Sequence, residues 1–344
     1  MNNTEIELKL RLPDHNRCPD IFAGISRLSP RPPAPQTEHL ESWYFDTPSH
    51  ALRQAGVAYR LRLENDRWIA TIKAGGSSEG GLHRRQEWNA PASGPAPSLE
   101  YFSGTEGKDL VKQLLTGEEL CPLFSTVFDR QFTCVTTDSG DVIELAADIG
   151  WIIAGDRREP ISEVELELKE GDAAAVLALG AKIARFSPLF VEERSKYSRG
   201  LALAGLQPSF PSSPPPPLPI PPGERAVAAL KTLLIHEVHH LFHSLEQPPG
   251  IGEQYLPRQL RKLDGLLKAA KPLIQPAAPT PWIKELETSM QHNQIDLQDG
   301  RLTPILLEIW AAATRELFIP TEMTWEEFAS SSDCVIAKNN VLTA

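Results

Sequence analysis

The sequence predicts an α+β protein, with a closed eight-stranded antiparallel β-barrel (a tunnel) and flanking helices, followed by a small all-α domain. Two patterns support this prediction. In the first 205 residues, charged and apolar side chains alternate along short segments, and alternate residues of a strand share one face. After residue 223, apolar residues instead recur every three or four positions, which is the period of an amphipathic helix.

A proline-rich segment separates the two patterns. Nine of the sixteen residues from Pro208 to Gly223 are proline, and such a run lacks the backbone donors that helices and sheets need. We therefore predict a barrel domain at 1–205, a linker at 206–223 and a helical domain at 224–344. Within the last of these, the segments 227–245, 256–273 and 302–318 have the helical period.

Composition excludes several classes of protein. The 344 residues carry a formal net charge of −11, which argues against a general nucleic-acid coat. No apolar run reaches the ~18 residues that span a bilayer, and the four cysteines are too scattered to indicate a disulfide framework. We expect a cytoplasmic protein with neither a membrane nor a nucleic-acid partner.

The alternating segments concentrate charge on one face of each strand. Half-exposed strands with solvated outer faces would explain any single segment. Neighbouring carboxylates such as Glu163 and Glu165, however, repel each other unless a cation lies among them, and Arg60 beside Arg62 calls for an anion. The same pattern recurs at these positions: Glu5, Glu7 and Lys9; Thr71 and Lys73; Arg85, Glu87 and Asn89; Glu144 and Asp148.

Closing the sheet into a barrel would bring these charged faces together. About eight strands leave a lumen wide enough for one small ligand. One wall would then present Arg and Lys and the other Glu and Asp, so a polyphosphate could be bound by the cations directly and by a divalent metal ion that bridges to the carboxylates. Because no Cys or His joins the set, the ligands favour a hard cation, Mg²⁺ or Mn²⁺. The pattern indicates a phosphoryl-transfer site.

These residues resemble the CYTH superfamily, the triphosphate tunnel metalloenzymes. Glu5-Ile6-Glu7-Leu8-Lys9 matches the ExExK signature of that family. Further matches follow in the family's order: Tyr44-Phe45-Asp46-Thr47-Pro48, Arg60-Leu61-Arg62, Thr71-Ile72-Lys73, Arg85-Gln86-Glu87, Arg130, Asp148, Glu163-Val164-Glu165 and Ser195-Lys196-Tyr197. Within the family, His83-Arg84-Arg85 and Arg199-Gly200 look most like the bacterial inorganic triphosphatases, which pair a CYTH domain with a helical CHAD domain. The resemblance implies hydrolysis of inorganic triphosphate to pyrophosphate and phosphate.

The resemblance also implies roles for individual residues. The triphosphate oxygens would be bound by Lys9, Arg60, Arg62, Lys73, Arg85 and Arg130, and Lys196 would contact a terminal phosphate. One or two metal ions would be held by Glu5, Glu7, Asp148, Glu163 and Glu165, with Glu167 a further candidate. Asn89 departs from the pattern, since many relatives have an acid there, which puts a second metal site in doubt.

The helical segment contains a match to a zinc-protease motif and a weak similarity to a known helical domain. His236-Glu237-Val238-His239-His240 matches HExxH, a zinc-protease pattern. No third ligand is identifiable downstream, although Glu253 is a conceivable one, and a polar helix face explains the histidines more simply. The segment is similar to a degenerate or truncated CHAD domain. That similarity implies polyphosphate as a ligand of the helical domain, with Arg258, Arg261, Lys262, Lys268 and Lys271 as contributing residues.

Other functions fit the same tunnel. Thiamine triphosphatase and class IV adenylate cyclase are the alternative activities within the family. A non-enzymatic alternative is a module that binds polyphosphate without hydrolysing it. The full set of carboxylates favours catalysis, because binding alone does not need so many metal ligands. We therefore expect a divalent-metal-dependent triphosphatase.

Overall fold

The computed structural model describes residues 4–13, 21–24, 34–208, 218–247, 252–276, 278, 280–291, 300–315 and 317–331. Contacts divide the chain into two compact units, Met1–Gly171 with Glu192–Pro211, and Asp172–Val191 with Ser212–Ala344. Half of the predicted linker, residues 209–217, lies outside the described residues. The domain boundaries at 205 and 223 stay a prediction.

The first unit is a closed antiparallel β-barrel. Its described residues form eight strands: β1 Thr4–Arg11, β2 Gln36–Asp46, β3 Val57–Glu64, β4 Arg67–Glu79, β5 Leu82–Ala92, β6 Cys121–Thr136, β7 Val142–Ala154 and β8 Arg157–Glu170. Around the barrel the order is β1-β5-β4-β3-β2-β6-β7-β8, and β8 pairs with β1 to close the ring. The predicted eight-stranded barrel is confirmed.

Register decides which side chains face the lumen. Residues directly opposite each other in a sheet share a face, and Arg60 lies opposite both Tyr44 and Thr71. On the other side of the barrel, Arg130 lies opposite Asp148. The register therefore places Arg60 and Thr71 on one face, and Arg130 and Asp148 on one face, and Arg60, Thr71 and Arg130 line the lumen. Apolar residues on the opposite face of β2–β5 pack against the short helices Ala51–Gln54, Leu99–Phe102 and Glu106–Leu115.

A helix at Lys196–Leu203, here called the closing helix, packs against β6, β7 and β8. Ser195 caps its first turn by accepting a hydrogen bond from the Ser198 amide. Gly200 lets the helix approach β6 closely, since a Cβ at this position would lie 2.1–2.4 Å from the Phe124 ring. That ring is buried and stacks on Tyr44 at 4.6 Å, so it has no room to move aside.

Gly200→Ala should therefore destabilise the barrel by about 1–3 kcal/mol, the usual cost of overpacking a core, although Ala is the better helix former. Thermal unfolding of the two proteins measures the difference. Gly94→Ala is the matched control, because a Cβ at Gly94 meets nothing within 4 Å. An unchanged Tm in Gly200→Ala would show that the closing helix is not fixed by this contact.

The second unit is mainly helical in its described residues, with one short strand at Phe190–Val191. Its helices are Ala173–Ala184, Ala226–Glu246, Gly252–Ala270, Pro281–Gln291, Leu302–Thr314 and Trp325–Ser331, which confirms the predicted all-α region. Helix Ala173–Ala184 was not predicted to belong here; it packs against Leu302–Thr314, and Arg185 after it bonds Glu285 and Glu308. None of the described helices combines the length and apolarity that a membrane span requires.

Candidate active site in the barrel lumen

A polar cavity of about 300 Å³ occupies the lumen. Ten of the twelve residues assigned roles from sequence line it: Glu5, Glu7, Lys9, Arg60, Arg62, Lys73, Arg85, Arg130, Glu165 and Lys196. The other two, Asp148 and Glu163, are fully buried and contact the Lys196 ammonium. The structure therefore brings all twelve residues into one interior, on seven strands and the closing helix.

Three buried carboxylates form a compact group, here called the carboxylate triad: Asp148 on β7, and Glu163 and Glu165 on β8. One oxygen from each can lie within 4.8 Å of the others, close enough to share one cation. These are hard oxygen donors without nitrogen or sulfur, so the triad fits a hard divalent ion such as Mg²⁺ or Mn²⁺.

Side-chain cations already surround the triad. Lys196 Nζ lies 2.6 Å from Asp148 Oδ2, 2.6 Å from Glu163 Oε1 and 2.9 Å from Glu165 Oε1. Arg130 donates from Nε and NH2 to Asp148, at 2.8 and 2.7 Å. Lys9 contacts both Glu165 and Glu7. The carboxylates are thus held in position by ion pairs before any metal ion binds.

These ion pairs set the protonation of the triad. Burial alone would raise the pKa of Asp148, but Arg130 and Lys196 outweigh burial and hold it below its usual range. The pKa of Glu165 is held well below normal in the same way, by Lys196, Lys9 and Arg130. Burial dominates at Glu163 and raises its pKa. At least two members of the triad are therefore anionic and available as ligands at neutral pH.

A second acidic group lies on β1 and β5. Lys73 Nζ contacts Glu5 Oε2 at 2.6 Å and Glu87 Oε2 at 3.3 Å. Burial, together with the nearby charge of Glu7, raises the pKa of Glu5 to about 8. Asn89, the departure from the family pattern, donates to Glu87 Oε1 at 3.0 Å. It therefore orients an acid rather than supplying one.

Three arginines line the same lumen and are here called the arginine wall: Arg60 and Arg62 on β3, and Arg85 on β5, where it lies opposite Glu5 of β1. Arg60 donates to the Thr71 hydroxyl at 3.1 Å, and its buried Nε has no hydrogen-bond partner among the described residues. Burial, and the positive charges of Arg60 and Arg130, lower the pKa of Arg62. Buried guanidinium groups that repel one another are stabilised when an anion binds between them.

Glu87 and Arg199 also belong to the site, whereas Asp46 does not. No role was predicted for Glu87 or Arg199. Arg199 Nη1 donates a hydrogen bond to Glu163 Oε2 at 2.8 Å. Both share a face with an assigned residue, Glu87 with Arg85 along a strand and Arg199 with Lys196 one helical turn away, and that spacing could have revealed them. Asp46 is fully buried and accepts hydrogen bonds from the amides of residues 47, 52 and 53, so it fixes the turn after β2.

The HExxH residues lie on helix Ala226–Glu246, here called the histidine helix. His236 Nε2 and His240 Nε2 are 3.0 Å apart, and burial, reinforced by the positive charge of Lys262, lowers the pKa of both rings. Among the described residues, the carboxylate triad is the one group of three or more potential ligands close enough to hold a single metal ion. No third ligand of the kind that a zinc-protease site needs lies near the histidine pair among the described side chains, and the side chain of Glu253 lies outside them.

His239 makes the helical unit sensitive to acid. It packs on Trp310 at 4.4 Å, and burial, helped by His236 and His240, lowers its pKa to about 4 from a model-peptide value of 6.5. The folded state binds a proton at His239 less well than the unfolded chain does. The contribution of neutral His239 to the free energy of unfolding is therefore fully present above pH 6.5 and is lost as the pH drops to 4. At pH 5 the loss is about 2 kcal/mol.

His239→Phe should remove the contribution of His239 to the pH dependence of the free energy of unfolding, while it keeps an aromatic ring against Trp310. Urea unfolding at pH 7 and pH 5 measures it: the midpoint should fall less on acidification in the variant than in the unsubstituted chain. An equal fall in both proteins would show that His239 does not titrate on unfolding.

Comparison with known proteins places the barrel in a family. The CYTH domain family matches residues 3–201. The inorganic triphosphatase of Haemophilus influenzae is 32% identical over 206 residues, which cover 59% of this chain and 56% of that protein. The chain thus spans about half the length of this curated relative.

Two solved structures align with part of this chain. An adenylyl cyclase-like protein from Hippeastrum, described as having a dominant triphosphatase activity, aligns at 20% identity and a TM-score of 0.43 over 58% of this chain and 95% of its own. A protein from Pyrococcus horikoshii aligns at 19% identity and a TM-score of 0.37, over 58% and 98%. The family match covers more than half of the sequence and includes every strand of the barrel, and the chain therefore belongs to the CYTH domain family.

Proposed function

We propose that this protein hydrolyses inorganic triphosphate to pyrophosphate and phosphate inside the barrel, with Mg²⁺ or Mn²⁺ as its cofactor. The observation that carries the proposal is a single lumen that the arginine wall lines and at which three buried carboxylates converge on one lysine. A triphosphate has the charge and length to lie between them. The relative that shares the barrel sequence is an inorganic triphosphatase.

Binding in this arrangement would fall to the cations. Arg60, Arg62 and Arg85 each present a planar guanidinium that can donate two hydrogen bonds to phosphate oxygens. Lys9, Lys73 and Arg130 would add positive charge along the chain of phosphates, although the structure pairs each of them with a carboxylate. The barrel wall would exclude bulk water and hold the reacting bond in a fixed orientation, which is most of what phosphoryl transfer requires.

The carboxylate triad would hold the metal, together with Glu7, which shares Lys9 with Glu165. Glu5 of the second acidic group would join them as a ligand only after losing its proton, since its pKa is raised to about 8. A divalent ion bound there would neutralise the negative charge that develops on the phosphate oxygens. The ion pairs of Arg130 and Lys9 would keep these carboxylates ionised and in place. The arginine wall would act on the same phosphate chain.

Phosphate release from inorganic triphosphate, ATP and thiamine triphosphate, each with Mg²⁺, Mn²⁺ or EDTA, tests this function. We expect the fastest release from inorganic triphosphate and none with EDTA. Faster release from thiamine triphosphate, or formation of cyclic AMP from ATP, would replace the proposal with one of the other chemistries of the family. Tight binding of triphosphate with no release would leave a non-catalytic binding module.

Polyphosphate binding by the helical unit stays a prediction. Helix Gly252–Ala270 carries Arg258, Arg261 and Lys268 on exposed positions, although Lys268 is paired with Asp264 at 2.8 Å. Exposed basic residues alone are common on protein surfaces, so the barrel, rather than this helix, is the part of the chain for which we propose an activity.

A further inference from the structure

Lys196 lies at the centre of the carboxylate triad. Its ammonium has three N–H groups, and each member of the triad accepts from it, at 2.6, 2.6 and 2.9 Å. The side chain is only 8% exposed. One side-chain cation thus occupies the point at which three buried carboxylates converge.

The group around the triad is electrically balanced by side chains. Its buried carboxylates are Glu7, Asp148, Glu163 and Glu165. The cations in contact with them are Lys9, Arg130, Lys196 and Arg199, of which Arg199 also contacts the partly exposed Glu159. A divalent ion would add two positive charges to this interior, and buried charge without compensation is costly. Metal binding therefore requires that a cation leave the triad or that anions enter the lumen.

Of these cations, Lys196 is the one whose departure frees all three members of the triad, because Lys9 contacts only Glu165 among them. Arg130 is held by two parallel hydrogen bonds to Asp148, and Arg199 is anchored by Glu159 and by the carbonyl of Pro160. Lys196 instead ends a flexible four-carbon stem and lines the cavity, so its ammonium can turn towards a ligand there.

We infer that Lys196 and a divalent metal ion compete for the carboxylate triad, and that the ammonium moves to a phosphate oxygen when the metal ion binds. The destination on phosphate rests on the proposed function, whereas the competition concerns the triad alone. Metal binding without a phosphate ligand is then weak. A metal ion and a triphosphate each strengthen the binding of the other, because the phosphate receives the displaced ammonium.

Manganese binding in the absence of any phosphate compound tests the competition. Free Mn²⁺ is measured by electron paramagnetic resonance during titration of the full chain and of Lys196→Met. We expect Lys196→Met to bind Mn²⁺ about tenfold more tightly or better, because it removes the competing charge at hydrogen-bond distance. Lys169→Met is the matched control: it removes a lumen lysine that contacts Glu144 and Glu167 and is 37% exposed, and should change the affinity less than about threefold.

Equal or weaker Mn²⁺ binding in Lys196→Met, no binding by either protein, or an equal gain in Lys169→Met would overturn the inference. Circular dichroism checks folding, since Lys196→Met leaves excess negative charge in the interior. Should that variant not fold, Glu163→Gln with Lys196→Met is compared with Glu163→Gln alone, and the same gain is expected. No phosphate is present, so a chain inactive on triphosphate could still show the competition, and an active one could fail to show it.

Discussion

Glu165→Gln should lower kcat/KM for triphosphate by about a hundredfold or more, the usual loss when a group that supports a metal or developing charge is removed. Glu165 is the member of the triad that lines the cavity, and it contacts Lys9, Arg130 and Lys196 together. The amide keeps the shape of the side chain but cannot serve as an anionic ligand. Phosphate release at several Mg²⁺ concentrations measures the effect.

Glu170→Gln is the control for this experiment. It makes the same change at the exposed end of the same strand, so it should keep the activity of the unsubstituted chain. Circular dichroism of both variants separates loss of turnover from loss of the fold. A Glu165→Gln protein with full activity and unchanged Mg²⁺ dependence would show that the metal is not held by the triad.

Arg62→Ala should chiefly weaken substrate binding and raise KM about tenfold to a hundredfold, the range expected for losing a hydrogen bond to a charged group. Arg62 lines the cavity, its side chain is 14% exposed, and its contacts to Ser42 and Glu64 are long, at 3.3 and 3.2 Å. Its guanidinium is therefore available to a phosphate. Initial rates over a range of triphosphate concentrations give KM and kcat separately.

Two further variants make the result specific. Arg67→Ala removes an arginine at the exposed start of β4 and should leave KM unchanged. Arg62→Lys keeps the charge without the paired donors, so its KM should lie between those of Arg62→Ala and the unsubstituted chain. An unchanged KM in Arg62→Ala would argue that triphosphate does not lie against the arginine wall.

Much of the barrel could be predicted from sequence because the relevant signal is local. Strand residues two apart share a face, so the pairs Glu163 with Glu165 and Arg60 with Arg62 already assign their side chains to one side of the sheet. Register is different, since nothing within β1 or β8 specifies that Lys9 lies opposite Glu165. It depends on the closure of the whole barrel.

The remaining features depend on tertiary packing. Lys196 reaches the triad because Gly200 allows the closing helix to lie against Phe124, a contact 76 residues apart in sequence. Helix Ala173–Ala184 is apolar and buried on most of its surface, which predicts a buried helix but not the unit that it joins.

Metal-dependent cleavage of a phosphoanhydride bond in the lumen is the central claim of the proposed function. Phosphorus nuclear magnetic resonance of the full chain with inorganic triphosphate and Mg²⁺ tests this directly, because it resolves substrate from both products. We predict that triphosphate disappears, that phosphate and pyrophosphate appear in equal amounts, and that EDTA stops the reaction. Triphosphate that persists with Mg²⁺ and with Mn²⁺, or is consumed equally fast in EDTA, would contradict the account.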